Sequence, residues 1–268
     1  MGTKWQAGVA RFFIRTVGSL SDGVRMSFQH GFISGKMLDY IYANKPSGRW
    51  GIGILVDKIY LSHPGWKAIR QRKASLEAYL EEAITKVDGQ KAPVKIIDVA
   101  SGPAQYMVDV AGRVQGKALS ILCRDYDAQW VEEGRIKARR AGLSCISFSQ
   151  GDAFDRESFL PLMGQYDIAV VSGFYDWITD DELVKKSMGI IRDVLKPGGY
   201  FVFTNQSGHF DLKFVEDVFV DFNKNPLKMK TRSNEQVRQW LAGLGFDVLK
   251  CVSDGKGFYS VFLAQRST

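Results

Sequence analysis

The sequence predicts an α/β fold built on a mainly parallel sheet, and three observations predict it. From about residue 94, short apolar runs alternate with stretches of helical period. The run VKIIDVASGPA, residues 94–104, reads as a buried strand that enters a tight turn at Gly102. Pro103 then stands where a helix would have its first residue, a place that suits a fixed φ and a missing N–H. Finally, acids close the first three strands: Asp98, Asp125 in ILCRDYD and Asp152 in SQGDAFD.

Taken in order, residues 1–65 show helical patches near 5–16, 23–30 and 33–43, separated by Gly, Ser and Pro. Large apolar groups (Trp5, Phe12, Phe13, Met26, Phe28, Phe32, Trp50) exclude disorder by composition and suggest a helical lid over the mouth of the main domain, residues 66–268. A longer helix runs from Pro64 to about Asp88 with the stripe Trp66, Ile69, Leu76, Leu80, Ile84. Arg72 and Lys73 fall inside that stripe, and an inward cation needs an acid or an anionic ligand unless it snorkels out.

The main domain then reads as strand 94–99, helix 103–112, strand 118–124, helix 127–141 and strand 145–149. A connector with Phe159 and Leu162 leads to strand 166–172, helix 181–194 and strand 199–205. Lys196-Pro197-Gly198-Gly199 reads as a helix stop. Ser233 and Gln236 form a capping box for a helix over 233–243, ended by Gly245. Strands 246–252 and 257–264 close the chain as an antiparallel hairpin around Gly255.

With 268 residues and 45% apolar content, the chain can bury one large core with an added cap. No apolar run reaches membrane-spanning length, and no signal peptide is recognised at the start. Three scattered cysteines suggest reduced thiols in a cytoplasmic protein, and the three histidines lack ligand spacing, so no metal is expected. Residues 1–75 hold 12 Lys/Arg against 3 Asp/Glu, a balance of +9, while the remainder carries −2. That basic segment either attracts an anionic partner such as a lipid surface or is a solvated cap. Nucleic acid is not expected, because no binding motif accompanies the charge.

The Gly102 turn lacks a full G-x-G-x-x-G for a nicotinamide cofactor, no G-x-S-x-G elbow serves a serine hydrolase, and no G-K-[ST] ends the loop. Five strand–helix units, a terminal hairpin and the three strand-end acids instead resemble the class I S-adenosylmethionine (SAM)-dependent methyltransferases. The resemblance covers about residues 70–265. It implies a Rossmann-like seven-stranded sheet and SAM as cofactor. The turn Asp98, Ala100, Ser101, Gly102 would approach the methionine and ribose portions. Asp125, beside Tyr126, would take the ribose hydroxyls. Asp152, Ala153 and Phe154 would bind the adenine edge, and Ser172 and Gly173 would border the sulfonium. The usual glycine-rich turn is reduced here to Ser101-Gly102-Pro103-Ala104.

A narrower resemblance runs through residues 31–73, RDYD, QGDAFD, VVSGFY and the terminal LAQR. It is to a methyltransferase group often fused behind an α/β-hydrolase domain, and to stand-alone azetidine-2-carboxylate synthases. The latter implies cyclisation of SAM with release of methylthioadenosine; the alternative is methyl transfer to a small molecule or lipid, and a non-enzymatic docking module is a third reading. In-line chemistry at a sulfonium favours a facing π-surface, for which Tyr175 is the candidate unless it packs beside Phe174. Asn205 and Ser207 could orient an amine, and Asp176 could do so or cap a helix. His209 is the candidate general base or a surface-loop histidine. Arg72 could clamp the carboxylate of the methionine.

Overall fold

A computed structural model describes residues 18–31, 34–87, 92–114, 117–208 and 228–268, with the isolated positions 212, 216 and 226. Two compact units contain them: one holds Met1–Gln71 and His209–Met229, the other Arg72–Gly208 and Lys230–Thr268.

The second unit is a seven-stranded sheet in the order β3-β2-β1-β4-β5-β7-β6. Its strands are β1 Val94–Val99, β2 Leu119–Asp125, β3 Ile146–Gln150, β4 Tyr166–Val171, β5 Leu195–Gln206, β6 Phe246–Ser253 and β7 Tyr259–Arg266. The first five run parallel, while β7 lies antiparallel between β5 and β6, which is the terminal hairpin read from the sequence. Strand order jumps at β1, where β2 flanks one side and β4 the other. Such a reversal leaves a crevice beyond the strands' carboxyl ends.

Two apolar layers sandwich the sheet. One gathers Leu76, Leu80 and Ile84 with Ile96, Met107, Val131, Val202 and Leu263. The other gathers Ile97, Tyr175, Met188, Ile191, Phe201, Phe203, Leu241 and Phe262. Residues of β5 alternate between them, as the period of two demands.

The helices start and stop largely where capping chemistry places them. In the first unit they are α1 Asp22–His30, α2 Gly35–Ala43 and α3 Ile52–Leu61; α4 Pro64–Val87 follows. Ser21 and Ser34 accept the amides of Val24 and Met37 and so begin α1 and α2. In the second unit come α5 Gln105–Arg113, α6 Ala128–Arg140, α7 Asp181–Val194 and α8 Asn234–Gly243. Ser233 caps α8 through the amide of Gln236, as its sequence indicates.

Two expectations need correction. Pro103 is not the first residue of a helix: α5 begins at Gln105, because Ala104 takes a left-handed φ of 51° and keeps the turn open for two more residues. The Lys196–Gly199 run does not separate α7 from its strand; β5 already starts at Leu195, with a register shift against β4. Helix α3 had no counterpart in the sequence reading. The patch expected near 5–16 lies outside the described residues.

Candidate active site

The turn after β1 is the most constrained backbone of the second unit. Ala100, Gly102 and Ala104 all have positive φ, at 55°, 55° and 51°. Two of these are alanines, which pay roughly 1–2 kcal/mol each for a left-handed conformation. The turn is held by Ser101 N–H donating to Arg124 O (3.0 Å) and Ala104 N–H donating to Ser101 O (3.1 Å). Gly102 N–H donates to Asp125 Oδ2 at 2.7 Å. The spacing noticed in the sequence is thus a direct hydrogen bond between neighbouring parallel strands, whose carboxyl ends the register brings side by side. Among the described residues, apart from its chain neighbours, no atom lies within 4 Å of where a Cβ on Gly102 would stand, so the turn faces open space.

Asp125 also accepts the N–H of Asp127 through Oδ1 at 2.9 Å. A carboxylate offers about four acceptor positions, so two amides leave room for ligand hydroxyls. Burial raises its carboxyl above the ordinary range, while the two backbone amides oppose that. Tyr126, next in sequence, is 73% exposed. Beyond β3, Asp152 Oδ1 accepts the amide of Phe154 at 2.8 Å, closing an Asx turn. Ala153 is buried, and the Phe154 and Phe174 rings stand 5.4 Å apart. Together they form an apolar wall suited to a planar base.

Asp98 differs from its strand-end fellows. It is fully buried, and both carboxylate oxygens receive the Tyr106 hydroxyl at 2.7 Å. Burial pushes its carboxyl well up, against the hydrogen bond from Tyr106. As placed, Asp98 ties β1 to α5 rather than opening onto the crevice.

At the end of β4, Gly173 N–H donates to Thr204 Oγ1 at 2.7 Å. Arg72 Nη2 lies 3.2 Å from where a Cβ on Gly173 would stand, beside Ser172. The inward cation finds an acid: Arg72 Nη1 donates to Asp176 Oδ2 at 3.0 Å, both buried, and its guanidinium lies 4.6 Å over the Tyr259 ring. Of the two partners open to an inward cation, an acid or an anionic ligand, Arg72 has the acid. Burial raises the Asp176 carboxyl to about 6, although the Arg72 guanidinium pulls it down. Its other oxygen, Oδ1, has no hydrogen-bond partner among the described residues.

Other expected catalytic groups are committed to structure. Asn205 Nδ2 donates to Arg232 O at 2.8 Å, and Ser207 Oγ bonds Gly257 O and Ser260 Oγ, at 3.2 and 2.9 Å. Tyr175 is 2% exposed, with its ring against Phe174 and Phe203 and its hydroxyl 3.3 Å from Ser187 Oγ. As placed, that ring packs the second apolar layer instead of facing a ligand. Tyr175→Phe is therefore expected to cost no more than about 1 kcal/mol of stability and to leave SAM turnover unchanged. A large loss of turnover with an unaltered melting temperature would put the hydroxyl in the chemistry. His209 lies outside the described residues.

Two residues at this end of the sheet escaped the sequence reading. Arg232, almost fully buried, donates to Tyr175 O (2.8 Å), Ile178 O and Asp181 Oδ1 (2.9 Å), pinning the chain before α8 to the turn after β4. Gln206 ends β5 on the face shared with Val202 and pairs across to Tyr259. It is 1% exposed, and neither Oε1 nor Nε2 has a hydrogen-bond partner among the described residues. A buried amide left unsatisfied costs roughly 1–3 kcal/mol, so this one is a candidate to bond a ligand. The only available signal was polarity at an inward position of a predicted strand.

The sheet order, the antiparallel β7 and the crevice at β1 define the class I methyltransferase fold. The chain belongs to the family described as "Putative methyltransferase", whose model matches residues 2–266. The uncharacterized protein YnbC of Escherichia coli K12 is 33% identical over 257 residues, 94% of this chain. The chain spans 43% of that relative's length. A possible exported protein from Bordetella parapertussis has a similar fold, with TM-score 0.76 and 15% identity over 99% of this chain and 93% of that one. Magnesium protoporphyrin IX methyltransferase from Synechocystis PCC 6803, solved with S-adenosylhomocysteine, gives TM-score 0.61 and 14% identity over 90% and 99%. A methyltransferase family implies SAM as the group against which this site is tested. The open side of Gly102, the spare acceptor positions of Asp125 and the unpartnered Gln206 amide fit it.

Proposed function

We propose that this protein consumes SAM by intramolecular ring closure, giving azetidine-2-carboxylic acid and methylthioadenosine. The observation that carries the reading is the pair of buried, incompletely bonded polar groups near the turn after β4: Asp176, with its carboxyl near neutrality, and the Gln206 amide. Such groups suit a substrate's own ammonium and carboxylate better than an apolar acceptor.

In this reading the Ala100–Ala104 turn and Asp125 hold the ribose, with Tyr126 beside it. Asp152, Ala153 and Phe154 wall the adenine, and Ser172 and Gly173 border the sulfonium. Asp176, kept in place by Arg72, takes one proton from the α-ammonium. The freed lone pair on nitrogen forms the bond to Cγ, the Cγ–S bond breaks, and its electron pair stays on sulfur as a neutral thioether. Gln206 orients the methionine end so that nitrogen and carbon meet in line.

Family membership favours a second reading, transfer of the methyl group to oxygen or nitrogen of a small molecule or lipid. Incubating the purified protein with SAM and no acceptor separates the two. Methylthioadenosine with a four-membered imino acid is the expected product. S-adenosylhomocysteine formed only after an acceptor is added would replace ring closure by methyl transfer. SAM bound without turnover under either condition would leave a docking module.

A further inference from the structure

Helix α3 is built inside out. Its inward side carries Gly53, a fully buried carboxylate, Asp57, and the terminal Leu61, while its outward side carries Ile52, Leu55 and Ile59 at 60, 61 and 65% exposure. These three positions, i, i+3 and i+7, form one stripe, and Trp50 in the preceding turn adds a ring that is 84% exposed. An ordinary surface helix shows the reverse pattern.

The inversion is locked rather than incidental. Asp57 Oδ1 accepts the Ser21 hydroxyl and Gly23 N–H (2.9 Å), and Oδ2 accepts the Tyr40 hydroxyl and Ser47 N–H (3.0 Å). Four donors satisfy the buried carboxylate without a cation. A Cβ on Gly53 would stand 2.2 Å from Leu20 O, so the helix lies on its neighbour's backbone. Neither side can rotate outward without breaking both contacts. Trp50 holds a φ of 51°, unusual for a bulky residue, and thereby stays out in solvent.

The exposed charges on either side of the stripe in the sequence have one sign. Between residues 43 and 67 the exposed charged side chains are Lys45, Arg49, Lys58 and Lys67, and the lone acid there is the buried Asp57. An apolar stripe with a Trp, flanked along the chain by exposed Lys and Arg, matches the interface of an anionic bilayer, where apolar groups enter the acyl boundary and cations meet headgroups. Among the described residues no helix is long and apolar enough to cross a membrane.

We infer that the Trp50–Ile59 face is a docking surface for an anionic lipid bilayer, lying in its interface. This goes beyond the SAM reading and does not depend on it.

Vesicle sedimentation of the full chain tests it. Vesicles of equal phosphatidylcholine and phosphatidylglycerol should carry the protein down at low salt, with at least tenfold weaker partitioning onto phosphatidylcholine alone. Raising the salt to 0.5 M, where the screening length shortens to ~4 Å, should release much of it. Leu55→Gln/Ile59→Gln should lower partitioning at least tenfold at an unchanged melting temperature. Lys45→Gln/Arg49→Gln/Lys58→Gln, a variant free of apolar changes, should do the same and flatten the salt dependence. Wild-type protein that stays in solution, or variants that bind as it does, would overturn the inference. A concentration-dependent dimer that the Leu55→Gln/Ile59→Gln change dissolves, without vesicle binding, would overturn it too and give the stripe to a second copy. SAM turnover in vesicle-free buffer, measured in parallel, keeps failure here distinct from failure of the ring-closure reading.

Discussion

Replacing Asp125 with alanine is expected to weaken SAM binding about 100-fold, read by calorimetry. Two charge-assisted bonds to ribose hydroxyls are each worth about 1.5 kcal/mol, and every 1.4 kcal/mol is roughly tenfold. The same change removes the acceptor for Gly102 N–H, so the turn that carries Ala100 and Ala104 in left-handed conformations loses a tether. A melting-temperature drop should therefore accompany the affinity loss. Asp125→Asn keeps one carbonyl acceptor and should lose only about tenfold. If Asp125→Ala binds SAM as tightly as wild type, the strand-end acid does not hold the ribose, and the site must be sought elsewhere along the sheet edge.

The largest stability effect should come from the Arg72–Asp176 pair. Arg72→Met leaves a buried carboxylate without its cation, which costs about 3–5 kcal/mol in comparable cases. The double change Arg72→Met/Asp176→Leu should recover most of it, since an apolar pair of similar volume needs no compensation.

The pH dependence follows from the raised carboxyl. Asp176 holds its proton in the folded protein up to about pH 6, whereas in the unfolded chain it ionises near pH 4. The folded state thus binds more protons between these values, so this group's contribution to stability is largest on the acid side. It falls as pH rises toward 6 and is constant above. Without Arg72 the folded carboxyl rises further, and the loss continues to higher pH. Urea unfolding should therefore show a smaller Arg72→Met deficit at pH 5 than at pH 7.5. Equal deficits at both pH values would mean that Asp176 is not the group left uncompensated.

The architecture of the second unit was legible because each of its elements advertises itself locally. Ser233 with Gln236 marks the start of α8, and the stripe from Trp66 to Ile84 outlines α4. The acid at the tip of β2 was legible for the same reason: parallel register places it beside the turn after β1, whatever the intervening helix contains. Helix α3 was not legible. Ile52, Ile54, Leu55 and Ile59 look outward while its one acid is buried with Leu61, so the usual rule that apolar means buried misreads most of it.

The polar end of the crevice was decided by tertiary structure alone. Arg72 and Asp176 lie 104 residues apart, and Arg232 reaches back 57 residues to the carbonyl of Tyr175. That Arg72 meets an acid of its own chain, that Tyr175 turns into the core, and that Gln206 is left unsatisfied all depend on which faces of distant elements meet. Periodicity and capping arise between residues a few positions apart and are written along the chain. Partnerships across the sheet exist only after register and strand order have closed, so no window of sequence contains them.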